Sequence, residues 1–270
     1  MTEFGVAVPI VSLPALEPTI LCEDGPLLAL NKPAGMLTQG VPNGPVPTVE
    51  AWAKAYLKQK YNKAGNVYLG IPHRLDRPVS GVIVFARNSK AAARLAEQFR
   101  QRTMQKEYLC VTEGVPTPST QRLVDWLHKD AEQAHVTVVE EGTPGAKSAE
   151  LTYEVLHTCN GRALVRVELH TGRMHQIRVQ FGHRRWPIVG DRQYGASTPF
   201  PNTVDADERR PSVIALHAAT LELAHPIRYD QVTLRAPLPE SWQQFGFESM
   251  VAADHDALCG RETAAGRPIG

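Results

Sequence analysis

The chain has 270 residues, 43% of them apolar and 21% charged, enough for one large domain or two small ones around a sizeable core. No apolar run reaches the roughly 18–20 residues that span a bilayer. The opening carries Glu3, Pro9, Pro14, Glu17 and Pro18 with no basic start before an apolar block, so it does not read as a secretion signal. Cys22, Cys110, Cys159 and Cys259 lie far apart without a C-x-x-C pair, which points away from zinc or redox motifs and towards a cytoplasmic setting.

The net charge is +1, but its distribution is uneven. Seven arginines (162, 166, 173, 178, 184, 185 and 192) face only Glu168 and Asp191 over 162–192, and six basic residues face only Glu97 over 87–106. Two basic stretches on a neutral chain could hold a polyanion on one face, or could be solvated surfaces.

In chain order, a proline-rich lead-in over 1–18 precedes one folded domain expected over 19–246. Apolar runs at 20–23 and 27–31 flank Asp24-Gly25, a hairpin signal. Thr48 can cap a helix whose stripe is Val49, Trp52, Ala53, Tyr56 and Leu57. The continuous run 82–86 predicts a buried strand. Ser89 then caps a second helix, with Ala92, Leu95, Ala96 and Phe99 on one face. From Tyr108 strands dominate, and 136–140 and 149–156 flank a Gly142–Gly145 turn as one long hairpin. Alternation of Val165, Val167 and Leu169 marks a half-buried strand. A third helix begins near Met174, lined by Ile177 and Phe181 and stopped at Gly182. Residues 196–212 read as a surface loop and 247–270 as a disordered tail. The mixture predicts an α+β fold with much antiparallel sheet, flanked by helices around a central active-site cleft.

Two motifs are set aside. The segment 142–148 resembles a phosphate-binding loop, but Glu141 and Ala146 stand where that loop needs glycines. His170 and His175 straddle a strand-to-helix break and lack the spacing of a helical zinc pair. More informative is Ile71-Pro-His-Arg-Leu-Asp76-Arg-Pro-Val-Ser-Gly81, where prolines and glycine constrain a loop that presents one carboxylate between Arg74 and Arg77. On spacing alone, Asp76 is either a structural partner of an arginine or a reactive group.

That segment resembles the H-R-L-D-x-x-[ST]-S-G signature of the RluA-type RNA pseudouridine synthases. Five further segments are similar to the family's motifs in the family's order: 24–36, Lys106–Gly114, Thr171–Arg178, Pro187–Gly195 and Leu216–Pro226. They cover roughly residues 20–240. Val79 departs from the usual threonine and Cys110 from the usual alanine, and the lead-in over 1–18 is expected to be too short for the N-terminal RNA-binding module of many relatives. The resemblance implies isomerisation of uridine in structured ribosomal or transfer RNA, without metal, nucleotide or other cofactor, by a monomer. It implies Asp76 as nucleophile, Arg178 as its ion-pair partner and Tyr108 as a stacking platform and possible proton acceptor. It also implies Arg74 as the residue that extrudes the base and Leu216 as an apolar contact to it. Arg173, His175 and the nearby helix start are implied as phosphate or RNA contacts. The competing readings are a binding-only RNA chaperone on the same fold, and a hydrolase using Asp76 with His73 as base.

Overall fold

The computed structural model describes residues 17–40, 46–130, 135–201, 203 and 211–247. The expected lead-in and tail lie outside these residues, apart from 17–18 and 247.

Gly25, at φ 50°, turns β1 (Thr19–Asp24) back onto β2 (Leu27–Lys32), as the Asp-Gly signal predicts. In α1 (Val49–Lys60), Thr48 caps as expected, its hydroxyl accepting the Ala51 N–H at 3.1 Å, and Val49, Ala53 and Leu57 are buried. Strand β3 (Ser80–Ala86) is buried along its whole length. Helix α2 (Ser89–Gln101) is capped by Asn88 rather than Ser89, because the Asn88 side chain lies 2.8 Å from the Ala91 N–H. Strands β4 (Gln105–Glu113), β5 (Thr120–Asp130), β6 (His135–Val139), β7 (Lys147–Cys159) and β8 (Arg162–Leu169) follow. Helix α3 (Gln176–His183), a 3₁₀ turn at Arg192–Tyr194, β9 (Leu216–Ala224), β10 (Gln231–Arg235) and a 3₁₀ turn at Glu240–Phe245 complete the chain.

Two expectations change. The strands either side of the Gly142–Gly145 turn do not pair with each other; β6 and β7 both pair antiparallel with β5, which lies between them. Helix α3 starts at Gln176, not Met174, and Gly182 lies inside it. A Cβ at Gly182 would stand 2.5 Å from the Tyr194 carbonyl oxygen, so this glycine allows a close crossing rather than a helix stop.

The strands form one sheet in the order β1-β2-β3-β9-β4-β8-β7-β5-β6, with β10 beside β9. All pairs are antiparallel except β3 with β9, joined only at Ser80–His217 and Gly81–Ala218. Gly81 has φ 113°, and a Cβ there would meet the Ala218 carbonyl oxygen at 2.2 Å. Alternate residues of β3 feed two cores: Ile83 and Phe85 pack with α1, Val82 and Val84 with α2. The helices thus brace opposite faces of β3, at the point where the loop carrying Asp76 enters the sheet. No helix among the described residues is long and apolar enough to cross a membrane.

Candidate active site

Three elements pin the loop from Pro72 to Val79. Thr38 donates to the Leu75 carbonyl at 2.8 Å and accepts the Leu75 N–H at 3.2 Å. The Gly35 N–H reaches the Arg77 carbonyl at 2.8 Å, and the Ile214 N–H reaches that of Pro78 at 3.2 Å. Lys32, fully buried, donates to the carbonyls of Pro33, Arg77 and Val79 at 2.9, 3.1 and 2.6 Å. Burial pushes the Lys32 ammonium down to about 7, with Asp76 opposing and Arg77 adding to the shift. Its three acceptors match the three N–H bonds of the charged form. Ser80 is fixed by His217 Nδ1 at 2.8 Å.

Asp76 emerges from this frame with 36% of its side chain exposed. His175 Nε2 approaches it at 3.7 Å and Arg178 Nη1 at 3.9 Å, both nearest to Oδ2. Arg178 is therefore beside Asp76 as the resemblance implies, but its short contacts are elsewhere. Its Nε and Nη2 grip Asp191 at 2.6 and 2.8 Å, and Nη2 also donates to Gln193 at 2.9 Å. Burial disfavours the Arg178 charge, yet Asp191, through charge and hydrogen bonds, and Asp76 more than offset it.

Tyr108 lies on β4 within electrostatic reach of Asp76, and burial together with that carboxylate pushes its hydroxyl well above the ordinary range. A neutral phenol suits stacking better than accepting a proton. Leu216 faces Cys110 across the β4–β9 pair, on the same face as Tyr108, but is 3% exposed and belongs to the core that holds Leu75 and Val79. Arg74 projects into solvent and makes no hydrogen bond or ion pair among the described residues. Arg173 is engaged by the Ser148 carbonyl at 2.9 Å through Nε. The Gln176 side chain accepts the Arg173 N–H at 3.0 Å and the Thr171 hydroxyl at 2.7 Å, so one of the expected free N–H groups is already used.

His73 cannot serve as a base. Its Nε2 accepts the Val84 N–H at 3.0 Å and its ring stacks on Phe99 at 4.5 Å. Burial, then Lys106, pushes it down to about 3. Lys106 itself is lowered to about 8 by burial and by Arg102, whose charge also reaches Arg173. A Cβ at Gly172 would sit 3.6 Å from Lys106 Nζ, placing this basic group beside the start of the Gly172-Arg173 segment.

Lys32, Asp191 and Tyr194 fall within motifs visible in the sequence, yet nothing in spacing assigns them roles. The signals were a lysine at the end of a largely apolar strand and a carboxylate thirteen positions after Arg178. Asp76 lines neither of two sizeable hollows. One, of about 670 Å³, lies behind the loop between Lys32, Ser80, Phe200 and Trp242; the other, of about 260 Å³, lies on the sheet among Glu107, Arg166 and Glu222. The Asp76 carboxylate is instead partly exposed at the surface.

Comparison with known proteins places the sequence and its fold in one family. Residues 26–183 match the family model described as RNA pseudouridylate synthase, and the chain belongs to that family. It is 33% identical over 231 residues to ribosomal large subunit pseudouridine synthase D of Xanthomonas campestris, covering 83% of this chain and 67% of that one. It is likewise 33% identical over 246 residues to tRNA pseudouridine synthase C of Haemophilus influenzae, covering 86% and 99%. A synthase D from Nitrosomonas europaea is 33% identical over 225 residues, but the chain spans only 62% of its length. The fold is shared with the solved human RNA pseudouridylate synthase domain containing 4, at a TM-score of 0.68 and 24% identity over 84% of this chain and 93% of that one. The protein is thus an enzyme that isomerises uridine to pseudouridine, not a binding-only chaperone or a hydrolase.

Proposed function

We propose that the enzyme modifies specific uridines in structured ribosomal or transfer RNA, with Asp76 as the nucleophile. The supporting observation is the geometry at the carboxylate: its side chain is 36% exposed, and both neighbouring groups, His175 and Arg178, approach it at Oδ2. Relatives named for ribosomal and transfer RNA support the substrate class.

The reaction breaks the bond from N1 of uracil to the ribose and forms a bond from C5 to the same carbon. The C5 proton leaves and N1 gains one, so no atom is gained or lost overall. The target base must first leave its stack, at a cost of a few kcal/mol. Arg74, exposed and unpaired among the described residues, is available to enter the space it leaves. Tyr108 offers the flipped base a ring face, worth roughly 1–3 kcal/mol. Leu216 lies on the same face of the sheet as Tyr108, its side chain buried in the core. Arg102, Lys106 and Arg173 form a positive rim for flanking phosphates. Ionised Asp76 then supplies the electron pair, with Arg178 and His175 facing it at Oδ2.

The test is to map pseudouridines in ribosomal and transfer RNA from a deletion strain, with and without the wild-type chain restored. Reappearance of at least one site is the expected result. If restoration leaves every uridine unmodified, the proposed substrate class is wrong.

A further inference from the structure

Behind Asp76 three groups stand in line. The Val136 N–H on β6 reaches the Tyr194 hydroxyl at 3.1 Å, that hydroxyl lies 2.8 Å from His175 Nδ1, and His175 Nε2 faces Asp76 Oδ2 at 3.7 Å. A backbone N–H can only donate, so the Tyr194 oxygen accepts from Val136 and its own proton is left to donate. His175 Nδ1 is the acceptor in reach. The imidazole proton then lies on Nε2, directed at the carboxylate. The opposite tautomer would set the Nε2 lone pair against Asp76, placing two acceptors face to face.

Other features of the site agree. Burial pushes the Tyr194 hydroxyl up to about 12, so it keeps its proton. Burial, with Arg178 and His135, outweighs Asp76 and Asp191 and brings His175 down to about 4, leaving a neutral ring. His175 adopts φ 53°, the left-handed region that a residue with a β-carbon enters only when its surroundings enforce it. The Tyr194 ring also carries the Arg178 guanidinium 4.9 Å from its centroid and stacks on His135 at 4.9 Å. One tyrosine therefore touches both groups that approach Oδ2.

We propose that Tyr194 is a positioning residue. Anchored by Val136, it sets the Nε2–H tautomer of His175 and backs Arg178, so that both groups face the Asp76 carboxylate at Oδ2. This rests on Asp76 being the reacting group, and it ties the placement of strand β6 to the nucleophile.

Two measurements on the full chain decide it. Long-range nitrogen–proton NMR correlation, with the His175 signals assigned by their loss in His175→Gln, should show the Nε2–H form at neutral pH; an Nδ1–H form overturns the proposal. That outcome is independent of whether Asp76 reacts, which Asp76→Asn activity reports separately. Tyr194→Phe, which keeps the ring and removes the hydroxyl, should lower kcat about tenfold, the effect of one hydrogen bond, with KM for RNA unchanged. An unchanged kcat overturns the proposal. Should that variant fail to fold, His175→Gln, which keeps an N–H near Nε2, should retain more activity than His175→Leu; equal losses would overturn it.

Discussion

Arg178 serves two carboxylates unequally. Asp191 takes the two-pronged contact at 2.6 and 2.8 Å, while Asp76 meets only the remaining nitrogen at 3.9 Å. The division suits chemistry, since a carboxylate clamped through both oxygens would be a poor nucleophile. Asp191 is fully buried and Arg178 nearly so, so removing one charge strands the other. Asp191→Asn should destabilise the fold by about 3–5 kcal/mol, measurable as a lower urea midpoint with unchanged m-value. A loss under about 1 kcal/mol would mean that Arg178 has another anchor. Sequence motifs place Arg178 at the site but pair it with Asp76, because the resemblance records which residues recur and not which contact is shorter. Asp191 becomes visible as the true anchor only when α3 and the 3₁₀ turn fold together over Gly182.

Among the elements, the loop that carries Asp76 is held largely by residues from other segments. Its prolines and Gly81 announce constraint, but its position is imposed by Lys32 from β2, Thr38 and Ile214. Lys32→Met removes the ammonium and leaves the Val79 carbonyl without its donor, while the Arg77 carbonyl keeps the Gly35 N–H. An unsatisfied buried group costs about 1–3 kcal/mol, so stability should fall by about that much, and activity should fall further than RNA binding. A variant with full activity and wild-type stability would show that the lysine does not hold the loop. Helix signals were readable where capping is local: Thr48 was, while the Ser89 cap was displaced by one residue to Asn88. Strand β5 escaped notice because it buries chiefly Leu123 and Leu127, four apart, between Arg122, Asp125 and Lys129. Without it, β6 and β7 looked like partners.

At the scale of the whole molecule, the α+β character and the antiparallel bias are legible in the alternation of apolar residues, but the strand order is not. The junction that seats the active site joins Ser80 to His217 across 137 residues, a pairing that no local pattern encodes. Burial also gives the molecule a pH signature. His73 and His175 are depressed from 6.5 to about 3 and about 4. Below pH 6.5 the unfolded chain takes up protons that the folded one refuses. Stability should therefore rise with pH between about 4 and 6.5, by on the order of 1.4 kcal/mol per pH unit for each histidine in its window. Urea titrations across that range should show the slope, and His73→Gln, which can still accept the Val84 N–H, should flatten it. A wild-type profile flat from pH 4 to 6.5 would mean that these rings are solvated and free to protonate.

We propose that the Asp76 carboxylate does the chemistry, positioned by Arg178, His175 and Tyr194, while the surrounding basic rim holds RNA. Single-turnover pseudouridine formation by Asp76→Asn, on an RNA that the wild-type enzyme modifies, tests it most directly, with RNA affinity measured in parallel. The rate should drop on the order of 10⁴-fold or more, as for loss of a nucleophile, while the Kd for RNA stays within about threefold. Product formation within tenfold of the wild-type rate would contradict the account.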